Sequence, residues 1–337
     1  MGWRLAALVG AALVALAAAA TGARADPLFV RILRSSDLAA LPLIVVEHDR
    51  LIEKQAQARG LGAVKVVWVN PAGIGPLDAL VGGQADLVPA LDLAQFAAAW
   101  DERSGTPQEI RALAALAQMP YLLLTRSPAI ATIRDFTAKD RIAVPGVKNS
   151  LPAVMLEMAA AQEWGAARYD RLDGLTVARP DADADDALHA GTSDIDAHFV
   201  RLPYADDERA DPAIHRVMDS FDIGGPHSIA ALIATSQFRD GNPALCASVA
   251  AAIGEADNFI ARNRGAAAEI YDGAIKDQDV PVEVLSDMLG DPDLTYRPAP
   301  AGLVRLTNFL HRIGRLAHSP DSWQQLFFPE VYKLGGS

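Results

Sequence analysis

A nine-residue segment occurs twice in this 337-residue chain, and the repeat sharply narrows its fold. Asp78-Ala79-Leu80-Val81-Gly82-Gly83-Gln84-Ala85-Asp86 matches Asp186-Ala187-Leu188-His189-Ala190-Gly191-Thr192-Ser193-Asp194. In each copy a helix must stop at a glycine, Gly83 or Gly191, before a tight turn into a strand, a position that favours a residue tolerant of positive φ. The flanking pattern repeats as well. Strands are predicted at 28–33, 64–69 and 86–88 with helices at 41–58 and 75–81, and again at 141–144, 175–178 and 194–197 with helices at 151–163 and 182–189. Each βαβαβ run predicts a mostly parallel sheet with helices on its faces, so the chain reads as two similar α/β lobes.

Two apolar segments with a proline near the middle, 116–124 around Pro120 and 223–230 around Pro226, are predicted to cross between the lobes. A chain that leaves one lobe and later returns makes that lobe discontinuous. We therefore assign residues 26–118 and 228–337 to the first lobe and 119–227 to the second, with a cleft between them that can close by hinge bending. Helical periodicity covers 243–261, 266–274, 281–289 and 301–317, with Pro243 where a first-turn proline is tolerated.

Residues 1–25 are set aside as a secretory signal peptide: Arg4 precedes an uncharged Ala/Leu/Val-rich run at 5–20, and Ala23-Arg24-Ala25 supplies a small-x-small cleavage site. Cleavage is placed after Ala25, which predicts a periplasmic protein with 28 basic and 42 acidic residues, a net charge of −14. Nucleic acid is excluded as a partner, because replacing counterions on a phosphate backbone needs clustered Lys and Arg. The one cysteine, Cys246, lies in an apolar helical stretch and is expected to be a buried core residue.

In open α/β sheets a pocket forms beyond the C-terminal ends of the strands, where loops and helix starts converge. That rule selects Ser35, Ser36, Asn70 and Asp92 in the first lobe, Tyr121 at the outgoing crossing, Lys148, Asn149, Ser150, His198 and Phe199 in the second lobe, and His227 at the return. Lys148-Asn149-Ser150 before a helix has the chemistry of an anion cradle, with free N–H groups at the helix start and a cation beside them. Ser150 is equally a helix cap. Substituting Lys148 by Ala is expected to weaken anion binding by about tenfold or more. His198 and Phe199 offer a ring donor/acceptor and an aromatic wall. Ser35, Ser36 and Asn70 are also turn residues, Asp92 is also a cap for a helix at Leu93, Tyr121 is also a core position, and His227 also suits a hinge.

Enzyme signatures are missing. Gly73-Ile74-Gly75 is followed by Asp78 where a dinucleotide fingerprint needs its third glycine, and there is no phosphate-binding loop, zinc-protease helix or nucleophile elbow. The acidic run at 181–186 lacks the glycine and terminal glutamate of a calcium loop and reads as the acid-decorated start of a helix. No metal or cofactor is expected.

Several stretches, in order along nearly the whole chain after residue 25, resemble a known family. They are Ala40-Leu41-Pro42-Leu43-Ile44-Val45-Val46-Glu47, Leu80-Val81-Gly82-Gly83-Gln84-Ala85-Asp86-Leu87, Arg141-Ile142-Ala143-Val144-Pro145-Gly146, Asn242-Pro243-Ala244-Leu245 with Asn258-Phe259-Ile260, and Ser322-Trp323-Gln324-Gln325-Leu326-Phe327-Phe328-Pro329. The family is the nitrate/sulfonate/taurine and thiamine-pyrimidine type of periplasmic solute-binding protein, which serves ABC importers. The resemblance implies the type-2 periplasmic binding fold, a small-molecule ligand held between the lobes, and an ABC permease as partner. Asp49-Arg50-Leu51-Ile52 departs from the Gly-Phe-Phe-like segment that often follows the first helix in this family. A fungal-type pyrimidine synthase of the same superfamily carries a Cys-rich motif, which this chain lacks. The combined expectation is a monomeric binding protein, not an enzyme, for a small organic or inorganic anion such as a sulfonate, nitrate or carboxylate. Binding of a pyrimidine precursor, a synthase-like enzyme of the same superfamily, or a ligand-sensing receptor is the alternative.

Overall fold

The computed structural model describes residues 28–191, 194–275 and 280–337. The predicted signal segment, its cleavage point after Ala25, and Thr192 and Ser193 of the repeat lie outside the described residues.

The first lobe opens with strand β1 (Leu28–Leu33), helices α1 (Leu41–Asp49) and α2 (Leu51–Ala58), strand β2 (Val64–Val69), helix α3 (Pro76–Val81), strand β3 (Val88–Ala90), helix α4 (Leu93–Arg103) and strand β4 (Ile110–Gln118). The chain then crosses into β5 (Leu122–Thr125), β6 (Ile142–Val144), α5 (Leu151–Trp164), β7 (Thr176–Ala178), α6 (Asp181–Ala190), β8 (Ala197–Val200), α7 (Tyr204–Ala210), β9 (His215–Asp219) and α8 (Ser220–Gly224). It returns through β10 (Ser228–Thr235), α9 (Ser236–Gly241), α10 (Pro243–Arg262), α11 (Arg264–Ala274), α12 (Val282–Met288), β11 (Thr295–Tyr296) and α13 (Leu303–Arg312). Strands β4 and β10 share one sheet, ordered β11-β4-β10-β3, while β5 and β9 belong to another, ordered β7-β6-β8-β5-β9. The chain passes from one of these sheets to the other between Gln118 and Leu122 and back between Asp219 and Ser228.

The sheets are mixed, not mostly parallel. Among the described residues parallel pairing is confined to β1 with β2 and to β6 with β7 and β8, together with parallel bridges from Ile32 to Leu87 and from Ala112 to Phe327. The long strands that enter and leave the crossings pair antiparallel, β10 with β3 and β4, and β5 with β8 and β9. A return strand laid beside the strand that left runs the opposite way. That geometry was not visible in the βαβαβ pattern.

Other boundaries also move. The helix expected over 41–58 breaks at Arg50, which takes a left-handed conformation with φ 54° and separates α1 from α2. A non-glycine there carries a steric cost of roughly 1–2 kcal/mol. The strand expected at 194–197 lies at Ala197–Val200, and the last long helix is shorter than 301–317. Gly83 and Gly191 do turn with positive φ, 70° and 62°.

The repeat itself has a different register after the glycines. Asp86 accepts the Arg31 N–H at 2.8 Å and gives its own N–H to the Arg31 carbonyl at 2.9 Å. In the second lobe the same reciprocal pair joins Arg141 to Asp196, at 2.7 and 2.8 Å. Asp196, not Asp194, is the counterpart of Asp86, and Asp194 instead pairs with Arg179 at 2.6 Å. The turn in the second lobe is two residues longer.

One contiguous apolar core runs through both lobes and includes the fully buried Phe96, Leu113, Leu116, Phe199 and Phe327. Helix α10 is long and apolar enough to cross a membrane by length and composition, but it packs Leu245, Cys246, Val249, Ile253 and Ile260 into this core. Cys246 is buried as expected.

Candidate functional site

The C-terminal ends of β1 and β2 bring charged side chains to one side of the first lobe. Arg34 follows β1 and is anchored by its N–H to the Val69 carbonyl at 2.8 Å. Its guanidinium meets Glu47 of α1, with Nε 3.0 Å from Oε1, and donates from Nη1 to Asn70 Oδ1 at 3.0 Å. Arg34, Ser35, Ser36, Glu47, Trp68 and Asn70 line a cavity of about 430 Å³. Three sequence candidates thus meet in one place. Ser35 spends its hydroxyl oxygen locally, accepting the Asp37 N–H at 3.1 Å, and the Ser36 carbonyl accepts the Tyr271 hydroxyl at 2.8 Å.

A second polar cluster lies between the lobes. Arg201, just past β8, places its guanidinium against Asp37 of the first lobe, Nη1 to Oδ1 at 2.9 Å and Nη2 to Oδ2. The two side chains are only 10% and 19% exposed. Desolvation alone lifts the Asp37 carboxyl, but the Arg201 charge, the bonds from Arg201 and the Ala39 N–H outweigh it and hold the pKa below the usual carboxylate range. Tyr121 is buried beneath, its ring 5.9 Å from the Arg201 guanidinium carbon, and burial pushes its hydroxyl well above the ordinary tyrosine value.

Asp92 has a double role. One oxygen caps α4, accepting the Ala94 and Gln95 N–H groups at 2.9 and 3.1 Å, as its position predicts. The other reaches across the cleft and accepts the Leu151 N–H at 2.8 Å, at the start of α5. Burial pushes this carboxyl up to about 6, against those N–H bonds and the Arg201 charge.

The anion cradle expected at 148–150 is therefore arranged differently. The protein's own Asp92 meets the N-terminus of α5, and Ser150 is used as the cap, donating to the Gly146 carbonyl at 2.6 Å and accepting from Ala153. Lys148 turns its ammonium to Asp173, 3.6 Å away, with the side chain 60% exposed. Asn149 is exposed beside Arg315 in a groove lined by Gln95 and Leu316. Lys148 has a left-handed backbone, φ 66°, and lines the same groove as Asn149.

His198 and Phe199 do not form a pocket wall. Because β8 begins three residues later than expected, both lie inside the strand, and the residue that emerges toward the first lobe is Arg201. Phe199 is fully buried in the core. Neighbouring strand residues face opposite sides, and His198, 1% exposed, contacts Glu208 instead of the cleft. Burial pushes His198 down to about 4. His227 packs at the return crossing, edge-on to Phe221 at 5.1 Å and near Ser220 Oγ, and burial pushes it down to about 4 as well. It pins the hinge.

Sequence reasoning missed Arg34, Asp37, Glu47 and Arg201. Arg34 and Asp37 flank Ser35 and Ser36 in the loop after β1, where their charge was a usable signal. Glu47 sits mid-helix and Arg201 beyond a misplaced strand end, so neither carried a local mark.

The architecture matches solved structures along most of the chain. The periplasmic aliphatic sulphonate binding protein SsuA from Escherichia coli is 20% identical, with a TM-score of 0.66 over 89% of this chain and 99% of that one. The periplasmic nitrate-binding protein NrtA from Synechocystis PCC 6803 is 15% identical, with a TM-score of 0.65 over 90% and 87%. The Candida albicans CA3427 gene product, described as having the generic periplasmic binding protein fold, is 13% identical, with a TM-score of 0.62 over 90% and 94%. No family model and no curated protein sequence matches the chain. The chain has the periplasmic binding protein fold, in the form seen in these sulfonate- and nitrate-binding structures.

Proposed function

We propose that this chain is an extracytoplasmic solute-binding protein of an ABC importer, exported by cleavage near Ala25. In this reading it is a monomer that captures a small organic or inorganic anion between its lobes and hands it to the permease without making or breaking a bond. The observation that carries the reading is a pair of guanidinium groups, Arg34 from the first lobe and Arg201 from the second, each engaged fork-wise by an internal carboxylate. A sulfonate, nitrate or carboxylate offers the same fork of acceptors, so it can take the place of Glu47 or Asp37. A ligand that touches both lobes favours the closed arrangement over the open one, and this shift is what a permease reads. The similarity to sulfonate- and nitrate-binding structures supports the same class.

Asp37 and Asp92 between the lobes, and Glu47 in the first-lobe cavity, favour a second reading, a ligand that carries an amino group, such as an aminopyrimidine. One experiment separates the two. Residues 26–337 are screened by thermal shift against sulfonates, nitrate, carboxylates and pyrimidines, since binding to the native state alone raises the melting temperature. An oxyanion hit whose affinity falls by about tenfold or more in Arg34→Ala supports the anion reading. A hit confined to amino-pyrimidines, or an oxyanion hit indifferent to Arg34→Ala, overturns it.

A further inference from the structure

Behind the cleft wall, the second lobe assembles a histidine and two carboxylates from three elements. His198 on β8, Asp185 on α6 and Glu208 on α7 each present one ligand atom, and these atoms all lie within 4.8 Å of one another. His198 and Glu208 are 1% and 0% exposed, with His198 Nε2 against Glu208 Oε1. Among the described side chains no donor reaches the second oxygen of Glu208, and its carboxyl faces that of Asp185. Beside Asp185 stands His189, one turn on along α6, its Nδ1 3.3 Å from Asp185 Oδ1. Two facing acids in an interior cannot both stay ionised without a compensating cation.

We propose that Asp185, His198 and Glu208 form a binding site for a divalent transition-metal ion, of which Zn2+ is the natural probe, with the partly exposed His189 at its solvent side. One imidazole nitrogen with two carboxylate oxygens is a donor set that Zn2+ and Co2+ accept. Two ligands of a tetrahedral zinc, each about 2.0–2.1 Å from the ion, lie roughly 3.3 Å apart, so ligand atoms at most 4.8 Å apart close on an ion through small side-chain movements. The unpartnered Glu208 oxygen gains a partner, and the charge of the two carboxylates is matched. The ion ties α6 and α7 to β8 three residues before Arg201, so it holds the part of the second lobe that carries the cleft guanidinium.

The test uses the full chain, purified without a histidine tag and treated with a chelator. Titration with Zn2+ by calorimetry should give one site per chain, and Co2+ should give visible absorption bands of a low-coordinate site. Glu208→Gln and Asp185→Asn should each weaken Zn2+ binding by about tenfold or more, with a cooperative thermal melt showing that each variant is folded. Asp185 is the more exposed ligand, so Asp185→Asn keeps the test decisive if Glu208→Gln fails to fold. Absence of a one-to-one site, or Zn2+ binding that persists unchanged in Asp185→Asn, overturns the proposal and leaves the three groups as a buried proton-sharing network.

Discussion

Arg201 donates to Asp37 at 2.9 Å across 164 residues of sequence, and this largely buried ion pair joins the two lobes at their cleft. Other polar links between the lobes include Asp92 to the Leu151 N–H, and Arg315 to both Glu157 and the Lys148 carbonyl. Removing one partner of a buried pair leaves the other charged and dry, which costs about 3–5 kcal/mol. Here the partners sit in separate lobes, so water can reach the orphan if the lobes part. Asp37→Asn should therefore open the molecule more than it unfolds it. Small-angle scattering should show a larger radius of gyration, and the double variant Asp37→Asn/Arg201→Met should return most of the way to the wild-type value. Equal radii in all three proteins would mean that the pair does not hold the lobes together.

Asp92 should make stability fall as pH rises through the mildly acidic range. Its carboxyl is pushed by burial up to about 6, above the ordinary value near 3.9 that it recovers on unfolding. Between about pH 4 and 6 the native state holds a proton that the unfolded chain lacks, so the Asp92 contribution declines across that window and is flat above it. The decline amounts to no more than about 3 kcal/mol. Denaturant midpoints of wild type and Asp92→Asn, compared from pH 4 to 7, should converge or cross in this direction; parallel curves would show that Asp92 titrates normally.

Lys148→Ala should leave ligand affinity within about twofold, in contrast to Arg34→Ala. Its ammonium is 60% exposed and faces Asp173, and such solvated pairs contribute about 0–1 kcal/mol. A large loss of affinity by calorimetry would return Lys148 to the pocket.

The reciprocal pairs Arg31/Asp86 and Arg141/Asp196 should be unequal in strength. Asp86 accepts the N–H of Arg31 inside β1 and Asp196 that of Arg141 just before β6, but Asp86 also takes the Arg31 guanidinium, with Nη2 2.6 Å from Oδ1. Replacing either by Ala orphans a part-buried donor, at about 1–3 kcal/mol. Urea unfolding should place Asp86→Ala as the more destabilised; the reverse order would assign the side-chain pair no role.

Cys246 should not react with a thiol reagent in the native protein and should react fully in denaturant. It is completely buried, and burial pushes the thiol up to about 12, which removes the nucleophilic thiolate. Rapid native labelling would indicate local opening of α10.

What could be read in the sequence is what depends on near neighbours along the chain. The βαβαβ order in both halves, the positive-φ glycines at 83 and 191, and the caps at Asp92 and Ser150 follow from side-chain periodicity and from single residues answering exposed N–H groups. The inter-strand direction was legible only within each βαβ unit, because a crossing strand's direction is set by where the chain returns. Side-chain destinations were less legible still. A shift of three residues in β8 turned His198 and Phe199 inward and put Arg201 at the cleft, since strand residues alternate faces and a small displacement reassigns each one. Tertiary structure alone decided that Arg201 meets Asp37, that Asp92 meets α5, and that Asp185, His198 and Glu208 converge. Buried charges and polar groups must find partners wherever the packed lobes place them, and those partners are dozens to more than a hundred residues away, or lie on different elements of one lobe.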